Sequence, residues 1–348
     1  VMKDSRRHRP GLVLGFHPLY RLRLVHLLFT ISLALLALVI EAAFGYPAQL
    51  YRIIGHPVTW IGKLIDRLDR SLNKSDESFA VRRAKGVLAL IILLAVSGTA
   101  ATLLQAMTPG GWLGLLPLAC LVSSLIAQRS LDQHVVAVAK GLELGLTEGR
   151  IAVAMIVGRN PAYLDSSGVA RAAIESLAEN FSDGIVAPLF WTAAGGLPGG
   201  VMYKAANTAD SMIGHKNERF AAFGWAAARF DDLINLPASR LAALWLILAS
   251  LVTPGASAQR AAATVLRDAR HHRSPNAGWP EAAMAGALDL KLAGPRIYGE
   301  ERVEDVYMGD GRREATLDDI KKAIRLYRAA CVIQAGVLAL ILAALVAI

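Results

Sequence analysis

Residues 171–210 read RAAIESLAENFSDGIVAPLFWTAAGGLPGGVMYKAANTAD, and the organisation of the chain turns on this stretch. It opens with an acid-rich segment carrying Glu175, Glu179, Asn180 and Asp183. An apolar segment, 185–202, follows and is broken by glycine and proline. A second polar cluster closes it: Tyr203, Lys204, Asn207 and Asp210. Polar groups therefore crowd both mouths of a stretch that reads as membrane-embedded. Such groups are costly to desolvate, so their placement points to function.

The composition agrees. Of 348 residues, 54% are hydrophobic and only 19% charged. Mean hydropathy is +0.42. Ordinary soluble domains carry about 25% charge. Outward from the central stretch, apolar runs occupy 25–44, 86–107, 112–126, 241–252 and 329–348. Runs of about 20 residues are long enough to cross a bilayer, whereas 112–126 and 241–252 are short. The pattern predicts an all-α polytopic integral membrane protein of four to six membrane segments. Some of these are expected to be re-entrant or broken, with helical polar loops forming one catalytic face. Four parts are expected: a basic extension (1–24), a membrane-embedded body with catalytic loops (25–253), a polar helical region (254–328) and a final transmembrane helix (329–348).

The expected location is the plasma (inner) membrane, with the catalytic face cytoplasmic. If the polar segments 45–85, 127–183, 203–239 and 254–328 share that face, the N-terminus lies opposite it. The arginines of 1–24 argue against this, since basic flanks favour the cytoplasm. From Trp60 the apolar positions Ile61, Leu64, Ile65 and Leu68 recur at helical spacing, with Pro57 suited to the first turn. An amphipathic helix lying in the membrane interface or against the bundle follows.

Several function classes drop out. Cys120 and Cys331 both lie in apolar runs, without the spacing of a zinc site or a disulfide framework. The net charge of +9 comes with no nucleic-acid-binding signature, so no nucleic-acid partner is expected. It fits basic loops near anionic lipid, or a face for an anionic substrate. No GxxxxGK[ST], GxGxxG or GxSxG pattern occurs.

The remaining polar residues fall into groups. Glu175, Glu179 and Asp183 recur every four residues, on one helical face. With Asn180 they are hard oxygen donors suited to magnesium that also touches phosphate. The alternative is a solvated helix face ending in a turn at Asp183-Gly184. Lys204, Asn207 and Asp210 share a second face after the break at Pro198-Gly199-Gly200. Lysine suits phosphate, and Asp210 either joins a metal site or pairs with Lys204. Lys216 and Arg219 are candidate phosphate contacts. Arg229, Asp231, Asp232 and Asn235 sit on a helix beginning near Gly224. Asn276, Gly278, Trp279, Pro280 and Glu281 read as a compact loop, with Arg296 and Tyr298 beyond it. From the residues alone, the chain reads as a membrane protein whose intramembrane polar site handles an anionic substrate, phosphorylated or not, with magnesium.

Four long motifs add a resemblance: GHPVTWIGKLIDRLDR (55–70), ARAAIESLAENFSDGIVAPLFW (170–191), YKAANTADSMIGHKNERFAAFGWAAARFDDLINLPASRL (203–241) and SPNAGWPEAAMAGALDLKLAGPRIYGE (274–300). Together they resemble the CbiB/CobD family of cobalamin biosynthesis, the adenosylcobinamide-phosphate synthases, over residues 38–348. The resemblance implies an ATP-dependent ligase. It would join the free propionate carboxylate of adenosylcobyric acid to (R)-1-amino-2-propanol O-phosphate, through an acyl phosphate, with ATP and magnesium. The lipid bilayer and other enzymes of the same pathway are the implied partners.

On that basis Glu175, Glu179, Asp183 and Asp210 are expected at the metal. Asp231, Asp232 and Lys204 are expected in catalysis. Lys216, Arg229, Asn207, Asn180, Arg296 and Trp279 are expected around phosphates and corrin, the latter lying over Trp191, Trp225 or Trp279. One departure stands out. Family members often carry an aspartate in the first span and Gly-Asp-Pro before the HPV motif, where this chain has Glu41 and Gly45-Tyr46-Pro47. Two other classes stay open: a transporter of an anionic or corrinoid substrate, which broken helices would suit, and a non-catalytic corrinoid-binding scaffold.

Overall fold

The computed structural model describes residues 18–348 apart from 47–48, 50–51, 54, 159, 295, 299–300 and 304–305. Most of the basic extension, and the arginines within 1–17, therefore lie outside the described residues. The chain is a multi-pass, all-α membrane protein. Five helical stretches are long and apolar enough to cross a membrane: Arg23–Phe44, Phe79–Met107, Trp112–Leu144, Ser166–Ile213 and Leu317–Val346. A sixth arises if Trp225–Ile234 and Leu236–Ser250, bent by 46°, count as one span.

Helix α1 (Pro18–Phe44) enters the body, and α2 (Pro57–Leu72) lies beside it as an amphipathic helix. His56 caps α2, its Nδ1 accepting the Val58 N–H at 3.2 Å, with Pro57 in the first turn where a missing N–H costs nothing. Ile61 and Ile65 are buried. Helices α3 (Phe79–Met107) and α4 (Trp112–Ser123) follow, joined by a turn around Thr108-Pro109-Gly110-Gly111. Their exposed large side chains, Val87, Ile91, Val96, Leu103, Met107, Trp112 and Leu116 among them, are apolar. Lipid, not water, is the medium that such a surface fits.

Helices α5 (Gln128–Leu144) and α6 (Leu146–Ala154) precede α7 (Ser166–Phe181), whose N-cap is Asp165, accepting from Gly168 N at 2.7 Å. From α7 the backbone passes through a π-turn, Ser182–Val186, into α8 (Ala187–Ile213). The π-turn replaces the ordinary turn considered at Asp183-Gly184. Within α8 the break falls at Gly195 and Gly196, ahead of the Pro198-Gly199-Gly200 position expected from sequence. Gly196 takes φ +65°, which disfavours a side chain, and the Leu197 N–H freed there is taken up by Gln105 Oε1 at 2.9 Å.

The chain reverses at this break. A Cβ on Gly199 would stand 2.2 Å from Trp191 O, and one on Gly200 2.4 Å from Thr192 Oγ1. In an unbroken helix, eight residues would rise about 12 Å. The stretch is a helical hairpin whose two mouths lie on one side.

Helices α9 (Trp225–Ile234) and α10 (Leu236–Ser250) lead to α11 (Ala258–Asp268) and α12 (Gly278–Leu288). Sequence suggested a loop at 276–281, but Gly278 opens α12, which is buried along its length. Two short antiparallel strand pairs follow: β1 (Leu292–Ala293) with β4 (Tyr307–Met308), and β2 (Arg296–Tyr298) with β3 (Glu301–Val303). These interrupt a region expected to be helical.

Helix α13 (Leu317–Val346) begins at a capping box made by Thr316 and Asp319, twelve residues before the span anticipated at 329–348. One buried apolar cluster, rich in alanine, runs from Leu33 to Cys331 and joins α1, α4, α5, α7, α8, α10, α12 and α13.

Candidate active site

Reversal of the chain at Gly195-Gly196 brings the two polar clusters of the central stretch face to face. Tyr203 OH lies 3.0 Å from Asp183 O and 2.9 Å from Asn235 Oδ1. Asn235 Nδ2 donates in turn to Asp231 Oδ2 at 3.0 Å, and Asn207 Nδ2 reaches Asp231 Oδ1 at 3.4 Å. This buried network ties α9 to both limbs of the hairpin. Such networks hold their geometry because each unpaired member would be costly.

In front of the network lies a cavity of about 710 Å³. Glu179, Asn180 and Asp183 line it from one limb, and Lys204, Asn207 and Asp210 from the other, with His134 and His215 at its rim. Asp183 sits on the π-turn, a geometry that recurs at functional sites because it re-aims a side chain out of the helical repeat. Lys204 donates to Asn207 Oδ1 at 3.4 Å and makes no salt bridge among the described residues. It faces the charges of Asp183 and Asp231.

A second cavity, about 850 Å³, shares Lys204, Ser130 and Ala127 with the first. Arg52, His56, Arg129 and Tyr46 line it. Burial, aided by the charge of Lys204, holds the His56 imidazole below its ordinary pKa.

The two departures noted in sequence lie at this second cavity. Glu41 is buried, and both its carboxylate oxygens accept the Arg129 N–H, at 2.9 and 3.1 Å, at the start of α5. A carboxylate at a helix N-terminus satisfies free donors and the helix dipole together. Tyr46 donates to Gly55 O at 2.6 Å and packs edge-on against His56 at 4.4 Å.

Other anticipated residues are placed elsewhere. Glu175 lies off both cavities, buried, with Oε1 accepting the Ala293 N–H at 2.9 Å. Asp232 and Arg229 pair at 3.0 Å on α9, and Asp232 also feels the charge of Lys216. Arg229 and Asp232 also lie within electrostatic reach of Asp210. Arg219 pairs with Asp69 at the end of α2. Trp279 stacks under Arg240 at 4.4 Å, Trp225 under Arg83 at 3.6 Å, and Trp191 donates to Ile234 O at 3.0 Å. The Arg296 side chain lies outside what the structure describes. His56, Ser130, Arg129 and Arg52 were not among the residues singled out. The GHPVTW motif held the signal for His56, but nothing local to 129–130 marks them.

Among the described residues, no three His, Cys, Asp or Glu side chains are grouped closely enough to hold a metal ion by themselves. Glu179, Asp183, Asp210 and the amide of Asn180 nevertheless bring oxygen donors to the cleft, beside the imidazoles of His134 and His215. Magnesium is usually held by one or two carboxylates together with substrate phosphates, so the donor set fits such an ion without a closed protein cage.

Fold and cleft together define a polytopic membrane protein with a polar, carboxylate-rich site at the mouth of a helical hairpin. Comparison with known proteins makes this particular. Residues 34–327 match the family model described as CobD/Cbib protein, and the chain belongs to that cobalamin-biosynthesis family. A Sinorhizobium sp protein named "Cobalamin biosynthesis protein CobD" is 53% identical over 305 residues, covering 86% of this chain and 94% of the relative. Its namesake from Rhodobacter capsulatus is 49% identical over 300 residues, 86% and 93% of the two chains. That from Brucella anthropi is 48% identical over 296 residues, 84% and 90%. No solved structure matches.

Proposed function

We propose that this chain is an adenosylcobinamide-phosphate synthase, joining the propionate carboxylate of adenosylcobyric acid to (R)-1-amino-2-propanol O-phosphate at the expense of ATP. The observation that carries this reading is the position of Lys204, which lines both cavities and stands opposite Asp183. A ligase of this kind must bring three anionic groups together: a nucleotide, a carboxylate and a phosphorylated amine. A central ammonium between two cavities serves that need, with a cytoplasmic opening towards ATP.

The chemistry balances in two steps. A carboxylate oxygen attacks the γ-phosphorus of ATP and ADP leaves, giving an acyl phosphate. The amine nitrogen then attacks the acyl carbon and inorganic phosphate leaves with that oxygen. Glu179, Asp183 or Asp210 would hold magnesium, which would supply charge neutralisation for the transferred phosphoryl group. Lys204 stabilises charge developing at the junction.

The amine must lose a proton to become nucleophilic. Asp183 lines the cavity and is the better placed acceptor, since neither Asp231 nor Asp232 lines either cavity. Asp231 acts through Asn207 and Asn235 as a positioning residue.

The test is reconstitution. The protein in detergent receives adenosylcobyric acid, aminopropanol phosphate, ATP and magnesium, and the corrin product is followed by mass as each component is omitted. Product that requires all four supports the ligase. Corrin binding without product, beside an active control, counts against it. Lys204→Ala should lower kcat by about 100-fold or more.

A further inference from the structure

The two cavities that meet at Lys204 have opposite electrical character. Glu179, Asp183 and Asp210 make the first acidic. The second carries Arg52, His56 and Arg129, and its one acid, Glu41, is engaged by the N–H group at the start of α5. Arg52 has no ion-pair or hydrogen-bond partner among the described residues. Arg129 spends one guanidinium nitrogen on Ala42 O and Ala43 O, at 3.2 and 2.9 Å, and keeps further donors. The second cavity thus offers free cationic donors, whereas the first offers carboxylates.

Electrostatics sorts ligands between them. A bare phosphomonoester carries up to two negative charges and is repelled by clustered carboxylates. It is attracted to a guanidinium, which binds it through paired N–H donors. A nucleotide in complex with a divalent cation behaves oppositely, because carboxylates complete the cation's coordination. Resting on the ligase reading above, we propose that the Arg52–His56–Arg129 cavity seats the phosphate of the amine substrate, while the acidic cavity takes the metal-bound nucleotide. The amine end then points to the shared wall at Lys204 and Ser130. The rest of the 850 Å³ is left for the propionate arm of the acid substrate.

Direct binding tests this separately from turnover. 1-Amino-2-propanol phosphate is titrated calorimetrically into the full-length protein in nanodiscs, without ATP or magnesium. The wild type should bind it, and bind unphosphorylated aminopropanol at least tenfold more weakly. Arg52→Ala should weaken phosphate-ester binding by about ten- to hundredfold, the usual worth of a charged hydrogen bond. Arg52→Lys should recover part of the loss, and KM for ATP should stay within about twofold of wild type.

Arg52 is exposed, so the substitution leaves the buried core alone. Absence of binding to the wild type, binding indifferent to Arg52→Ala, or an effect falling on ATP or on the corrin acid instead would each overturn the assignment. A protein that binds the amine phosphate through Arg52 yet makes no amide would keep this site and defeat the ligase reading.

Discussion

Tyr203 donates its phenolic hydrogen towards the main-chain oxygen of Asp183, 3.0 Å away, although twenty residues separate them in one helical stretch. Along a straight helix the two would stand about 30 Å apart. The contact exists because the hairpin closes, and it fixes the π-turn that carries Asp183 beside the limb that carries Lys204. Tyr203→Phe keeps the ring but removes the hydroxyl, leaving Asp183 O and Asn235 Oδ1 without that donor. The expected cost is about 1–3 kcal/mol of stability, with a fall in kcat larger than any change in KM. Thermal unfolding in detergent and steady-state kinetics check both.

The hairpin's turn carries its own prediction. At Gly196, φ is +65° and an added Cβ would stand 2.6 Å from Gln105 Oε1. Gly196→Ala should therefore both strain the backbone and displace the acceptor of the Leu197 N–H. Gln105→Leu removes the acceptor alone and should cost about 1–3 kcal/mol, since an amide buried among apolar groups has little else to bond. Both variants should lower the melting temperature; unchanged melting in Gln105→Leu would contradict the capping role.

Acids eight residues apart, Glu175 and Asp183, should behave differently. Asp183→Asn, inside the cleft, should raise the magnesium concentration needed for half-maximal turnover and cut activity by about 100-fold. Glu175→Gln, whose native carboxylate holds the Ala293 N–H, should lower stability by about 1 kcal/mol and leave the magnesium dependence unchanged. Magnesium titrations of the two variants, with melting curves, separate a ligand from a structural tie.

His56 links pH to stability. Burial first, and then the charge of Lys204, lower its pKa in the folded protein from the ordinary 6.5. Below 6.5 the unfolded chain therefore binds a proton that the folded one refuses, so stability rises with pH across that window. The contribution is complete above about 6.5 and is lost as pH falls through the depressed folded value. His56→Gln, which keeps a polar cap for α2, should flatten the melting temperature between about pH 5 and 7. A slope identical to wild type would rule His56 out as its source.

Part of the candidate cleft was legible because its signal is local. Lys204, Asn207 and Asp210 fall on one face by helical spacing, and all three line the same cavity. The same rule fails for Glu175 and Asp183. A π-turn inserts an extra residue and rotates everything after it, so Asp183 reaches the cleft while Glu175 faces the β1 strand. Nothing in the local pattern marks Arg52 and Arg129, because they line one cavity only once separate parts of the chain pack together, and spacing along one helix says nothing of that.

By itself, the sequence determined that the chain spans the membrane, that the apolar stretch 185–202 is broken by glycine and proline, and which family the chain belongs to. Hydrophobic length, backbone permissiveness and long polar motifs are properties of contiguous residues. Only the tertiary structure decided that the broken stretch doubles back, that Glu41 caps α5, and that two cavities of opposite charge share Lys204. Those depend on contacts between residues far apart in the chain, where burial and hydrogen-bond satisfaction select one packing among the many that the same local pattern permits.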